Sequence, residues 1–291
     1  MSDPQYFAPD TVDEAVRLLS EHPGARPIAG GTDLVVATRG GRKELPEALV
    51  ALHRLAELRD LGVEDDALRL SALVTQAQIA ESEPIIGTWT ALSDAARLVG
   101  SPATRATATI GGNLMNASPA QELGSPLLVH GAQVELLSTE GARTIGVDEL
   151  WLGPGRTATS PGELLTKVVV PRPQPGSASA YLRLEYRQAM EIAVVGAAAL
   201  LTVDGGQISQ AAVALTAVAP TCILVEGVDE LLADAPADAA PFDAAAELAA
   251  AQAQPISDVR ASAEYRRAQV MVIVERALRM ALRRAPDRVA A

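Results

Sequence analysis

Apolar positions first recur at helical spacing at Val12, Ala15, Leu18 and Leu19. With Thr11 before them and Glu14 at the third helical position, they predict a capped helix that ends at His22-Pro23-Gly24. The period then shortens. ARPIA (25–29) reads as a strand running into a loop at IAGGTDL (28–34), EALVAL (47–52) as a buried strand and DALRLSALV (66–74) as another, with VEDD (63–66) as a turn. Thr75-Gln-Ala-Gln opens a short helix, and a helical pattern returns from Trp89 to Val99, stopping at Gly100 before Ser101-Pro102. The small, polar and β-branched residues from Thr104 to Glu122 predict extended backbone and loop.

Beyond this, AQVELLS (132–138) and ARTIGV (142–147) read as a hairpin over Gly141, and PGELLTKVVVP (161–171) as a further strand. PRPQPGSASA (171–180) reads as an irregular crossing between a unit of residues 1–175 and one of 176–291. The second unit begins with strands in YLRLEY (181–186), AAALLTV (197–203) and QAAVALTAV (210–218), with a turn at Asp204-Gly205-Gly206. An Ala-rich, Pro-interrupted stretch follows, then a final helix expected from Ser257 or Asp258. Arg276, Arg279, Arg283 and Arg284 fall in its last turns, where cations complement the helix dipole.

The chain has 291 residues, 48% of them hydrophobic but only 3% aromatic, so its core must be built mainly from Ala, Val and Leu. A formal net charge of -12 argues against nucleic acid, which needs clustered Lys and Arg. The single cysteine, Cys222, excludes an internal disulfide and an iron–sulfur cluster held by this chain alone. His22, His53 and His130 have no metal-ligand spacing and are expected on surfaces or in loops. An acidic, proline-bearing start does not resemble a secretory signal, and the longest apolar run (192–203) is about half of the roughly 20 residues a membrane span needs. A cytoplasmic location is the expectation.

Two stretches carry candidate chemistry. IAGGTDL and TIGGNLMNASP (109–119) each place an apolar residue and two glycines before hydroxyl and amide side chains. Glycine lets backbone N–H groups approach a phosphate oxygen, so an acidic protein can hold a diphosphate between two such loops without a basic patch. Each pair taken alone is also an ordinary turn signal. Other signatures are missing from the sequence: it has no P-loop, no G-x-S-x-G elbow and no H-E-x-x-H. GPGRTA (153–158) fits a dinucleotide pattern on paper, without the surrounding βαβ unit.

The two glycine stretches, PGELLTKVVVP, RQAMEIAVVGAAALLTV (187–203) and PISDVRASAEYRRAQV (255–270), in this order and spacing, resemble the FAD-binding medium subunit of the molybdenum hydroxylases. That family includes the flavin parts of xanthine dehydrogenase, aerobic carbon monoxide dehydrogenase and nicotine dehydrogenase. The resemblance implies an α+β protein: a PCMH-type FAD-binding domain of two α/β subdomains, then a C-terminal domain with a three-stranded antiparallel sheet and helices. It implies that the two glycine loops grip the FAD diphosphate, with Ile28, Ala29, Gly30, Gly31, Thr32, Asp33 and Leu34 in one jaw. Thr109, Gly111, Gly112, Asn113, Asn116 and Ser118 make the other, and Gly100, Glu122, Leu164 and Leu165 add contacts.

Two departures stand out. Glu122 replaces the Asp common in the family, and Pro154 lies where many relatives carry Tyr. No catalytic group and no metal ligand is expected in this chain. A large molybdopterin-binding subunit and a small subunit with two [2Fe-2S] clusters are implied as partners, usually as a dimer of heterotrimers. This chain would pass electrons through FAD to an external acceptor. The alternatives are a self-sufficient PCMH-type flavoprotein oxidase or dehydrogenase, and a redox-inactive scaffold relative.

Overall fold

A computed structural model describes residues 4–41, 44–187 and 189–286. Gln188, in the RQAMEIAVVG stretch, and the last five residues of the expected C-terminal unit lie outside the described residues.

The chain begins with β1 (Gln5–Phe7), α1 (Val12–Glu21), β2 (Ala25–Ile28), α2 (Thr32–Arg39) and β3 (Ala48–Ala51). The three strands form a small parallel sheet in the order β1-β3-β2. Thr11 caps α1 by accepting the Glu14 N–H, while the Glu14 carboxylate reaches back to the Asp10 N–H, one residue beyond the expected box. α1 and β3 enclose a first core of Val16, Leu19, Val50, Leu52 and Leu55.

β4 (Leu61–Glu64) and β5 (Ala67–Ser71) follow, joined by Asp65 and Asp66 at φ 48° and 59°, the left-handed pair that a tight hairpin demands. Then come α3 (Gln76–Glu81), α4 (Glu83–Thr88), α5 (Thr90–Leu98), α6 (Pro102–Arg105), α7 (Ile110–Met115) and α8 (Gly124–Val129). A full capping box between Thr75 and Gln78 starts α3. β6 (Gln133–Ser138), β7 (Gly141–Gly146), α9 (Val147–Leu150), β8 (Trp151–Gly153), β9 (Arg156–Thr157) and β10 (Leu164–Pro171) complete this part. A five-stranded antiparallel sheet, β4-β5-β10-β6-β7, packs against the helices around buried Trp89, whose indole N–H donates to the Pro171 carbonyl at 2.8 Å.

Two expectations change here. The stretch from Thr104 to Glu122 holds the end of α6 and all of α7 with turns and loop around them, because Ser101 and Thr109 cap helices, Pro102 occupies a first-turn position, and packing outweighs the poor intrinsic propensity of Gly and Thr. The crossing is also shorter than expected. Only residues 172–176 lack regular structure, since Ser177–Ala180 already pair with β12 in the antiparallel register Ser177 to Thr202.

β11 (Ser177–Leu184), β12 (Val195–Asp204), β13 (Gln207–Thr216) and the two-residue β14 (Ile223–Leu224) form an antiparallel sheet of three long strands with a short fourth at its edge. α10 (Val228–Leu232), α11 (Phe242–Gln252) and α12 (Ala263–Arg284) cover one face, so the Ala-rich stretch supplies helix. The final helix begins after Ser262 rather than at Ser257. Asp258 is held in a loop by accepting from Arg260 and Arg266, which draw its carboxyl well below the ordinary range. The other sheet face meets the first part of the chain, with Tyr181, Ala198, Leu200 and Ala214 in one core with Leu68, Leu92 and Leu127. Burial on both faces explains why β12 reads as an unbroken apolar run. His130, expected at the surface or in a loop, lies in the turn after α8 and is buried beside Ser179. Burial lowers its pKa to about 4.

Candidate functional site

The two glycine stretches come together. Gly30 packs so tightly on the Thr107 carbonyl that a Cβ there would overlap it, which brings the loop after β2 against the segment leading into α7. Gly31, at φ 67°, turns the chain in the left-handed region and serves as N-cap of α2. This helix was not legible as one, because it buries no residue. Val35 and Val36 are exposed, so no apolar face marks it in the sequence.

The second pair sits inside a helix. Gly111 donates its N–H to the Ala72 carbonyl at 2.9 Å, and a Cβ on it would lie 2.8 Å from that oxygen, so this glycine is needed for close packing of α7 on the strand end. Ile110 N–H is bound to the Val74 carbonyl, and Gly112 N–H to Thr109 Oγ1. The N–H groups of Ile110, Gly111, Gly112 and Asn113 are thus all accepted within the protein. Gly112 differs from Gly111. A Cβ on it would meet only Thr109 Oγ1, at 3.1 Å, and the residue is half-exposed.

What this jaw offers a ligand is side chains. Asn113 Oδ1 is buried without a hydrogen-bond partner, an orphaned acceptor inside the jaw, and unmatched buried acceptors are rare in folded proteins. Asn116 and Ser118 lie beside it, half-exposed, and Ala117 between them adopts a left-handed φ of 46°. The Gly155 N–H holds the Ala117 carbonyl at 2.9 Å, so the β8-β9 hairpin with Pro154 at its tip leans on the second jaw. Trp151 fixes the end of α7 by donating to the Leu114 carbonyl.

The expected residues therefore divide by exposure. Ile28 to Leu34, Gly100, Gly112, Asn113, Asn116 and Ser118 are half-exposed or exposed. Thr109, Gly111, Glu122, Leu164 and Leu165 are buried and support them. Leu164 belongs to the core around α1 and Leu165 to the core around Trp89, one on each side of β10. Glu122 accepts from the Tyr181 hydroxyl and from Arg183, both at 2.5 Å, so both its oxygens are engaged inside the protein. Burial pushes its carboxyl up from the ordinary value while Arg183 and Tyr181 pull it down.

Sequence reading missed Thr107, Tyr181 and Arg183. A signal existed for the last two, since Tyr181 and Arg183 alternate on one face of a strand whose other face carries Ala180 and Leu182. A cation on an inward face asks for a buried partner.

The residues fit a dinucleotide flavin in kind: glycines at a close backbone approach, a left-handed N-cap, and an orphaned acceptor flanked by amide and hydroxyl groups. Among the described residues, no cluster of three His, Cys, Asp or Glu side chains could hold a metal ion, and no helix is long and apolar enough to cross a membrane.

Comparison with known proteins agrees with this chemistry. Residues 2–173 match the family described as "FAD binding domain in molybdopterin dehydrogenase", and residues 179–281 the "CO dehydrogenase flavoprotein C-terminal domain". The carbon monoxide dehydrogenase medium chain of Afipia carboxidovorans is 34% identical over 97% of this chain and 98% of its own length. The nicotinate dehydrogenase FAD-subunit of Eubacterium barkeri is 38% identical over 70% of each chain. Among solved structures, reconstituted CO dehydrogenase from Oligotropha carboxidovorans superposes with a TM-score of 0.93 at 33% identity, covering 98% of this chain and 99% of that one. The chain belongs to the flavoprotein-subunit family of the molybdopterin dehydrogenases, the molybdenum hydroxylases.

Proposed function

We propose that this chain is the FAD-binding electron-transfer subunit of a molybdenum-containing hydroxylase or dehydrogenase complex. The observation that supports this reading is the seam where Gly30 rests on the Thr107 carbonyl, because it brings the first glycine loop against the segment that leads into the second. In this reading the first jaw, Ala29 to Leu34, presents the N-terminal end of α2 to the cofactor diphosphate, where the helix dipole favours anions. Asn113, Asn116 and Ser118 take its hydroxyl and amide groups. The buried set of Thr109, Gly111, Glu122, Leu164 and Leu165 holds these in place.

Bound FAD accepts and passes electrons singly or in pairs, and the protein supplies its binding and orientation. The clusters and the molybdenum centre belong to partners: a small subunit with two [2Fe-2S] clusters and a large molybdopterin-binding subunit. The organic substrate is transformed in the large subunit. A dimer of heterotrimers in the cytoplasm is the assembly we propose, and the division of this chain near residue 175 follows the 172–176 crossing. Names of relatives such as "medium chain" and "FAD-subunit" support a place in a larger complex.

The test is purification under native conditions, with the visible spectrum recorded, the flavin released and identified, and co-purifying chains weighed. About one FAD per chain with one large and one small partner is the expected result. Absence of flavin after addition of FAD and both partners would sink the reading.

A further inference from the structure

The site as described leaves one buried ionic group unexplained. Arg183 and Glu122 carry side chains only 1% and 7% exposed, and isolating two charges from water is costly unless their geometry is used. Arg183 reaches three places. Its Nη1 donates to Glu122 Oε1 at 2.5 Å and to the Glu191 carbonyl at 3.3 Å, and its Nε donates to Glu185 Oε2 at 2.7 Å. Tyr181 adds its hydroxyl to the second oxygen of Glu122, and Gly196 on the neighbouring strand leaves room for that hydroxyl, since a Cβ there would lie 2.5 Å from it.

Each end of this linkage leads to a segment that carries expected cofactor contacts. Glu122 closes the loop that begins at Asn116 and Ser118, which is further fastened to the C-terminal sheet by the Ala217 N–H on the Pro119 carbonyl at 2.8 Å. On the other side, Glu191 follows Met190, whose N–H binds the Gly100 carbonyl at 3.2 Å, and Gly100 opens the segment that runs through α6 to Thr107 and the second jaw. One guanidinium therefore ties Glu122, at the end of the Ser118 loop, to Glu191, whose neighbour Met190 holds the Gly100 turn. Its planar fork suits the task, because it fixes direction as well as distance.

We propose that Arg183 is a positioning residue for the cofactor cleft, setting the spacing between the Ser118–Glu122 loop and the Gly100 turn, with Glu122 acting through Arg183 rather than on the cofactor. This rests on the FAD reading above.

The experiment titrates FAD into the flavin-free full chain. For each variant it records the dissociation constant, the visible circular dichroism of the bound flavin, and the thermal midpoint without flavin. Arg183→Met is expected to weaken FAD about tenfold or more and to alter the flavin dichroism. The double variant Glu122→Gln/Arg183→Met removes one charge of each sign, so its thermal midpoint should recover relative to Arg183→Met while its FAD affinity stays low. Tyr181→Phe, which keeps the ring and loses one hydrogen bond, should weaken FAD about three- to fivefold and serves if Arg183→Met does not fold.

Recovery of affinity together with the thermal midpoint in the double variant would make the ion pair a matter of stability alone and overturn the proposal. So would losses from Glu122→Gln and Arg183→Met that multiply, since Glu122 would then act on FAD independently. If the unaltered chain takes up no FAD even with both partner subunits added, the functional reading falls first, and this proposal with it.

Discussion

The two jaws carry the same dipeptide and use it in opposite ways. In the first, Gly30 makes a close approach and Gly31 a left-handed turn, and the helix behind them lies on the surface with Val35 and Val36 exposed. In the second, the glycines are inside a capped helix, where Gly111 packs on Ala72 and its neighbours' N–H groups are all accepted by the protein itself. A Gly-Gly pair is thus no single device. One jaw can offer backbone to a ligand, whereas the other offers side chains on a rigid support.

Four substitutions probe this contrast. The largest effect is expected from Gly30→Val, because the branch would enter the Thr107 carbonyl, which is backbone and cannot step aside. A loss of about 3–4 kcal/mol in urea denaturation and failure to retain FAD are expected. Native stability in this variant would mean that the jaws do not meet as described.

Gly112→Val sharpens the comparison from the other side. Its Cβ has only the Thr109 hydroxyl to contend with, so stability should change by less than about 1 kcal/mol, while FAD affinity falls roughly 100-fold as the branch enters the cleft. Unchanged flavin titration would remove Gly112 from the cofactor's surroundings.

The smallest effect separates the two helix starts. Thr109→Ala removes a side-chain cap and should cost about 1 kcal/mol in thermal or urea unfolding. Thr32→Ala follows a glycine N-cap with no side-chain bond, and its unfolding should match that of the unaltered chain within about 0.5 kcal/mol. Equal losses from both would erase the distinction between a capped and an uncapped jaw.

Much of the fold was legible where local chemistry and packing agree. Thr11 and Thr75 announce their helices, Asp65-Asp66 and Gly205-Gly206 their hairpins, and the alternating and apolar runs their strands. The misread segments are those where the two disagree. α7 holds two glycines in six residues and is helical because its cap and its seat on Ala72 outweigh propensity, while α2 lacks a buried face altogether. Asp258 resembles a helix start and is instead an arginine anchor, which needs Arg266, eight residues on, to be seen. At the site, ordered motifs brought the two jaws to attention, but no local pattern tells that Thr109 and Glu122 are buried while Asn116 and Ser118 are half-exposed. That division depends on contacts far apart in the chain, as between Glu122 and Arg183, 61 residues apart.

The core around Trp89 has one more consequence. It draws Leu68, Leu92, Leu127 and Val168 from before the 172–176 crossing and Tyr181, Ala198, Leu200 and Ala214 from after it. A gene divided at that crossing would encode two fragments, each with an unsealed apolar side that only the other can close. The five-residue passage looks like a convenient seam for cloning and is a poor one: anyone wishing to swap flavin modules between such enzymes must move both halves together or redesign the surface they share.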